Sequence, residues 1–115
     1  MSEENRTIRN RLLRKQRLKA ARLKGTHTKY QWLEMLNFFN YTCVRCEEKK
    51  GHLDKDHIVP IYQGGSDGID NIQPICTNCN CSKGRENTDH RLSFCEKHNL
   101  IMPELWTTKE EVYAK

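Results

Sequence analysis

Two cysteine pairs, Cys43-Val-Arg-Cys46 and Cys76-Thr-Asn-Cys79, constrain this chain more than any other feature. Two residues between thiolates let both reach one ion from a tight knuckle, and four thiolates complete the closed tetrahedral shell of a structural zinc. No βαβ pattern surrounds either pair, which weakens a redox reading. A staple is what a chain like this needs. Its 115 residues are 36% hydrophobic and 30% charged, which fits one domain with a high ratio of surface to volume. Cys81 and Cys95 are read as buried thiols outside the ligand set.

The net charge of +5 is unevenly spread. Residues 1–30 hold 10 Lys and Arg against Glu3 and Glu4, while the rest of the chain holds 10 against 13 acids. A basic arm on a near-neutral body points to a polyanionic partner, nucleic acid being the usual one. No apolar run is long enough to span a membrane, and no apolar stretch follows the basic N-terminus as in a secretory signal. An intracellular, cytoplasmic setting is expected, where thiols stay reduced and serve as metal ligands.

Residues 1–27 read as a basic helix or arm, with helix formers over 5–24 and Gly25 as the stop. Residues 28–115 read as the functional domain. Thr28 and Gln31 fit a capping box, and Trp32, Met35, Leu36 and Phe39 recur at helical spacing up to about Asn40. The ligand-rich core spans 43–88. Leu53 to Ile61 is β-prone until Pro60 and Gly64-Gly65 break it. A possible short strand leads back to the second cysteine pair and a short helix over Thr77–Lys83. In the C-terminal segment, 89–115, Asp89 caps a helix carrying Leu92, Phe94 and Cys95. Thr107 and Glu110 form another capping box before a terminal helix.

Between the cysteine pairs lies Asp56-His57-Ile58-Val59-Pro60, then Gly64-Gly65-Ser66-Asp67 and Asp70-Asn71-Ile72-Gln73-Pro74-Ile75. After Cys79 come Asn80, Lys83 and Gly84. Neighbours on a strand point to opposite faces, so Asp56 and His57 line one surface only if the strand ends there. The fold brings a carboxylate, an imidazole and a carboxamide together beside a zinc clamp. Asp and Asn oxygens suit a hard cation such as Mg²⁺ or Mn²⁺, and a neutral imidazole takes a proton from water.

In order and spacing, residues 43–84 resemble the zinc-containing HNH endonuclease family, whose catalytic unit is the ββα-metal finger. The resemblance implies an α+β fold, a small ββα-metal finger stapled by a four-cysteine zinc site and flanked by α-helices. It implies a DNA endonuclease that nicks or cuts both strands, leaving a 5′ phosphate and a 3′ hydroxyl. Through it, His57 matches the general base and Asp56 the acidic metal ligand. Asn71 matches the asparagine that holds the loop and helps orient the base. Asn80 matches the metal ligand on the helix, and Lys83 a basic position near the phosphate. Arg85 and Arg91 either extend that phosphate surface or stand as solvated charges, and Arg14, Lys15 and Arg17 on the arm are candidate phosphate contacts. His27, His52, His90 and His98 are read as structural. Two other readings stay open: a catalytically silent zinc module that only binds nucleic acid, and an accessory factor that assists a phage terminase. Free-standing proteins of this kind occur in phages and mobile elements, so the setting implied is an infected or host bacterial cell.

Overall fold

A computed structural model describes residues 3–84, 86–107 and 113–114. The chain opens with α1, Glu3–Lys24, which is exposed along most of its length. Among its described side chains, Ala21 alone is buried. Helix α2, Lys29–Phe38, starts at the capping box expected from Thr28 and Gln31, each bonding the other's backbone N–H. Asn40 and Tyr41, both at φ 53°, then turn the chain sharply out of the helix.

Strand β1, Asp54–His57, pairs antiparallel with β2, Ile72–Ile75, with His57 opposite Ile72. The strand is shorter than its β-prone sequence. Ile58 N–H leaves the ladder for the Asn71 carbonyl and Val59 N–H for the Asn71 side chain. The connection carries two 3₁₀ turns, Ile61–Gln63 and Ile69–Asn71. Its glycines have separate uses. Gly64 adopts a left-handed φ of 93°. Gly65 lets the backbone close on itself, since a Cβ there would fall 1.8 Å from the Val59 carbonyl oxygen. Helix α3, Thr77–Lys83, follows at once and completes a ββα unit.

The chain ends with β3, Thr88–Asp89, and α4, His90–Lys97, which Asp89 caps. A 3₁₀ turn follows over Glu104–Trp106. The capping box expected from Thr107 and Glu110 runs into residues 108–112, outside those described. Tyr113–Ala114 form β4, parallel to β3, and not a helix. No described helix is long and apolar enough to cross a membrane.

The core is one cluster joining Met35 and Leu36 of α2 and the capping residue Phe39 to Ile75, Phe94 and Trp106, and it is continuous with Cys43, Cys76 and Cys79. Phe39 meets Phe94 edge-on with centroids 5.5 Å apart, and Phe38 meets Trp106 at 5.0 Å. Leu92 stays partly exposed, so Phe94 and Cys95 are the apolar side chains on the buried side of α4.

Arg91 departs from its expected place on the phosphate surface. It is fully buried, forks onto both Asp89 oxygens at 2.9 and 3.0 Å, and donates to the carbonyls of Ile72 and Asp70. A planar guanidinium can satisfy all four acceptors at once, so the apolar helix packing closes over it. Truncation would leave the buried Asp89 carboxylate without its cation, with the backbone N–H of residue 91 as its remaining donor. Arg91→Ala should therefore cost about 3–5 kcal/mol, read as urea unfolding of the zinc-loaded protein. A loss below about 1 kcal/mol, the scale of an exposed ion pair, would contradict this placement.

Candidate metal centre and catalytic cleft

The four cysteines of the two pairs meet. Their Sγ atoms lie within 4.8 Å of one another, with Cys46 and Cys76 3.9 Å apart. Four sulfurs at about 2.3 Å from one zinc sit ~3.8 Å apart, so the spacing fits a zinc site of four thiolates. Cys43 and Cys46 come from a knuckle closed by Glu47 N–H onto the Cys43 carbonyl, with Glu47 at φ 65°. Val44 N–H donates to the Pro74 carbonyl and docks this knuckle on β2. Cys76 caps α3, its sulfur accepting from Cys79 N–H. Burial opposes a thiolate at Cys43, but backbone N–H groups of Cys46, Cys76 and Arg45 outweigh it and hold the thiol at about 7. Burial pushes the Cys79 thiol up to about 12. Cys81 is exposed and lies outside the cluster, because the helical turn that points Cys79 inward points its second neighbour away. Cys95 is buried, as expected.

Helix α3 lies along β1 so that the two elements zip together. Residues three apart share one helix face and residues two apart one strand face. Thr77 Oγ1 and Asn80 Nδ2 both donate to Asp54, at 3.4 and 3.1 Å. One turn on, Lys83 Nζ sits 2.6 Å from Asp56 Oδ1. Asp56 is buried, and its other oxygen accepts from Gln73 Nε2 at 2.9 Å. Gln73 also donates to the Thr88 carbonyl and accepts from His90 N–H. Neither Asp54 nor Gln73 was singled out from sequence. Asp54 could have been found from its i, i+2 spacing to Asp56. Gln73 could not, because its long-range partners have no local signature.

Since β1 ends at His57, Asp56 and His57 both reach one cleft of about 260 Å³, with Asn80 and Lys83 on its α3 side and Ile61 and Tyr62 opposite. Asn71 does not line it. Fully buried, it bonds the Val59 N–H and carbonyl and the Ser66 carbonyl, which ties the loop's two ends together. None of its bonds goes to the His57 ring. That ring's partner is Asp67, whose Oδ1 is 2.8 Å from His57 Nε2. Burial disfavours charge on Asp67, yet the hydrogen bond from His57 and the nearby His27 hold its carboxyl below the usual range.

The cleft's donor set is of the right kind for Mg²⁺ or Mn²⁺: a carboxylate at Asp56 and an amide at Asn80. An ammonium already stands at Asp56 Oδ1, so the position accepts a cation, although Lys83 must yield part of it to a metal. Asn80 points its amide nitrogen at Asp54, not Asp56.

Arg14 and Arg17 lie on α1 and, with Ile61 and Tyr62, line a groove of about 520 Å³. The groove shares both of those residues with the cleft of Asp56 and His57. Lys15 is exposed on α1 outside it. Arg85 lies outside the described residues. Each of the four histidines read as structural has a protein partner: His27 has Asp67, His52 has Asp54, His90 has Glu86 and His98 has Glu47.

An antiparallel hairpin, a long loop and a short helix held by a four-cysteine cluster define a small α+β protein of the ββα metal-finger class. Residues 43–86 match the family model described as HNH endonuclease, so the resemblance drawn from the motifs holds over that segment. The match carries the four-cysteine cluster and places the segment among nucleases and nucleic-acid-binding domains. It leaves α1, α2 and α4 outside. No curated protein and no solved structure matches the chain.

The cluster geometry gives a direct test. Cys76→Ser should abolish stoichiometric zinc, measured by elemental analysis, and with it the cooperative unfolding transition. Cys81→Ser should keep both. Zinc lost from Cys81→Ser, or kept in full by Cys76→Ser, would contradict this ligand set.

Proposed function

We propose that this protein is a metal-dependent DNA endonuclease, and the observation that carries the reading is the convergence of Asp56, His57 and Asn80 on one cleft beside the four-cysteine cluster. Asp56 and Asn80 would hold a divalent ion, Mg²⁺ or Mn²⁺, which supplies Lewis-acid stabilisation of the charge that builds on the scissile phosphate and leaving 3′ oxygen. His57 takes the proton of the attacking water. Asn71 keeps the loop closed behind it, and the products are a 5′ phosphate and a 3′ hydroxyl. Lys83 neutralises Asp56 before substrate binds and then faces the phosphate.

DNA is led to the cleft along α1. Arg14 and Arg17 border a groove that runs into the cleft over Tyr62, an exposed ring against which a sugar or base can lie. Lys15 and Arg85 add phosphate contacts. These contacts carry no sequence information, so specificity is weak or is lent by a partner such as a phage terminase. A second reading is a silent zinc module that binds nucleic acid without cutting it. The observation on its side is the Lys83 ammonium seated on Asp56.

Supercoiled plasmid separates the two. With Mg²⁺ or Mn²⁺ the protein should nick or linearise it, EDTA should stop the reaction, and zinc-replete His57→Ala should be slower by ~10²–10⁴-fold. Binding without cutting under all conditions would favour the silent module. Cutting unaffected in His57→Ala would remove His57 as the base. Separately, replacing both Arg14 and Arg17 by Ala should lower the slope of log affinity against log salt by about 2. An unchanged slope would take the path of DNA off this groove.

A further inference from the structure

The residue that fixes the His57 ring belongs to the loop, but what fixes that residue comes from the N-terminal arm. Asp67 is buried, and each of its polar atoms has a partner. Oδ1 accepts from His57 Nε2 at 2.8 Å. Oδ2 accepts from Thr26 Oγ1 at 3.3 Å and faces Arg22 Nε at 3.7 Å and His27 Nδ1 at 3.8 Å. The backbone N–H donates to the Gly25 carbonyl at 3.1 Å, and the carbonyl accepts from His27 Nδ1 at 2.8 Å. One carboxylate oxygen serves His57, and everything else on Asp67 is bound by residues 21–27, the Ala21 carbonyl being a second acceptor for the N–H at 3.4 Å.

We propose that Asp67 is the positioning residue for His57 and that the turn after the basic helix holds Asp67 in place, making the N-terminal arm part of the active-site scaffold as well as a phosphate contact. The inference rests on His57 being the base. A staple between loop and arm alone would need only the backbone bonds and Oδ2. The separate use of Oδ1 does something more. A carboxylate only accepts, so His57 carries its proton on Nε2 and its lone pair on Nδ1. The ring is thereby held in one tautomer and one orientation, with a quarter of the side chain open to solvent. A free imidazole would divide between two tautomers and two flips, of which one combination aims a base at a given water. The segment that supplies the clamp lies outside the matched residues 43–86, so the clamp belongs to this chain's own flanking sequence.

The test reads the imidazole directly. Long-range ¹H–¹⁵N spectra of the full-length, zinc-loaded protein, without Mg²⁺ or Mn²⁺, should show the His57 ring protonated on Nε2, the signal being assigned by its loss in His57→Ala. Asp67→Ala should mix the tautomers and lower kcat for plasmid nicking by about 10–100-fold with little change in KM, the scale for losing an orienting partner. Asp67→Asn, whose side-chain oxygen can still accept, should recover most of that loss. His27→Phe should shift both readouts in the same direction as Asp67→Ala, by less. A wild-type ring protonated on Nδ1 would overturn the proposal without any variant being needed. So would a folded Asp67→Ala protein with an unchanged ring spectrum and unchanged kcat, or a loss confined to KM. If the wild type binds DNA but never cuts it while the ring is found on Nε2 and responds to Asp67→Ala, the contact stands and the nuclease reading falls.

Discussion

The cluster of Cys43, Cys46, Cys76 and Cys79 joins the knuckle after α2 to the first turn of α3, and every other placement in the ββα unit depends on that junction. Helix α3 has seven residues, far below the length at which a helix is stable in water alone. The hairpin has two strands of four residues, which are marginal without a partner layer. Each element is too small to specify the other. Four sulfurs at one point fix where α3 begins, and helix geometry then sets Thr77, Asn80 and Lys83 over Asp54 and Asp56. A structural zinc contributes on the order of 10 kcal/mol or more, enough to offset the ordering of so short a unit.

A second constraint is that the interior around the cleft is polar. Asp56, Asn71, Gln73, Asp89 and Arg91 are all buried, and no buried side-chain polar atom among the described residues lacks a partner. Such networks are costly unless complete. Complete, they admit one arrangement, because a shifted residue orphans several groups at once. Gln73 shows the consequence. One amide joins Asp56 to the Thr88 carbonyl and the His90 N–H, so the carboxylate on β1 is tied to the start of α4.

Much of this was legible in the sequence, for a physical reason. Zinc knuckles, capping boxes and glycine turns are local, and their chemistry shows in a few adjacent residues. Hence the Thr28–Gln31 cap, helix α3 with its bounds, and the four clustered cysteines could be read ahead. Contacts between distant segments leave no such mark. Arg91 looked like one more surface cation, and only the fold reveals Asp89 and two backbone carbonyls converging on it. Asp67 stood in a loop rich in turn formers, where an aspartate needs no explanation, and its pairing with His57 depends on how the 58–71 connection closes. The short helix over Thr77–Lys83 was readable, but which of its residues face β1, and in what register, is set by the cysteines.

The two residues at the end of β1 are supported from opposite directions along the chain. Asp56 is held by Lys83 of α3 and, through Gln73, by residues 88–90. His57 is held through Asp67 by residues 22–27. Both outer supports are distant in sequence from β1, and neither supplies a group that lines the cleft. A constellation needs its side chains placed to within about 0.5 Å, and that precision comes from the shell behind them. The ββα finger brings the functional groups to one cleft, while the flanking helices limit how far each can move. For a finger this small, part of that shell has to come from flanking chain. The basic helix is therefore under two demands at once. Under the proposed reading its exposed charged face meets a polyanion, while its C-terminal turn stays seated on Asp67. The switch from full exposure along most of α1 to burial at Ala21 marks where one demand gives way to the other.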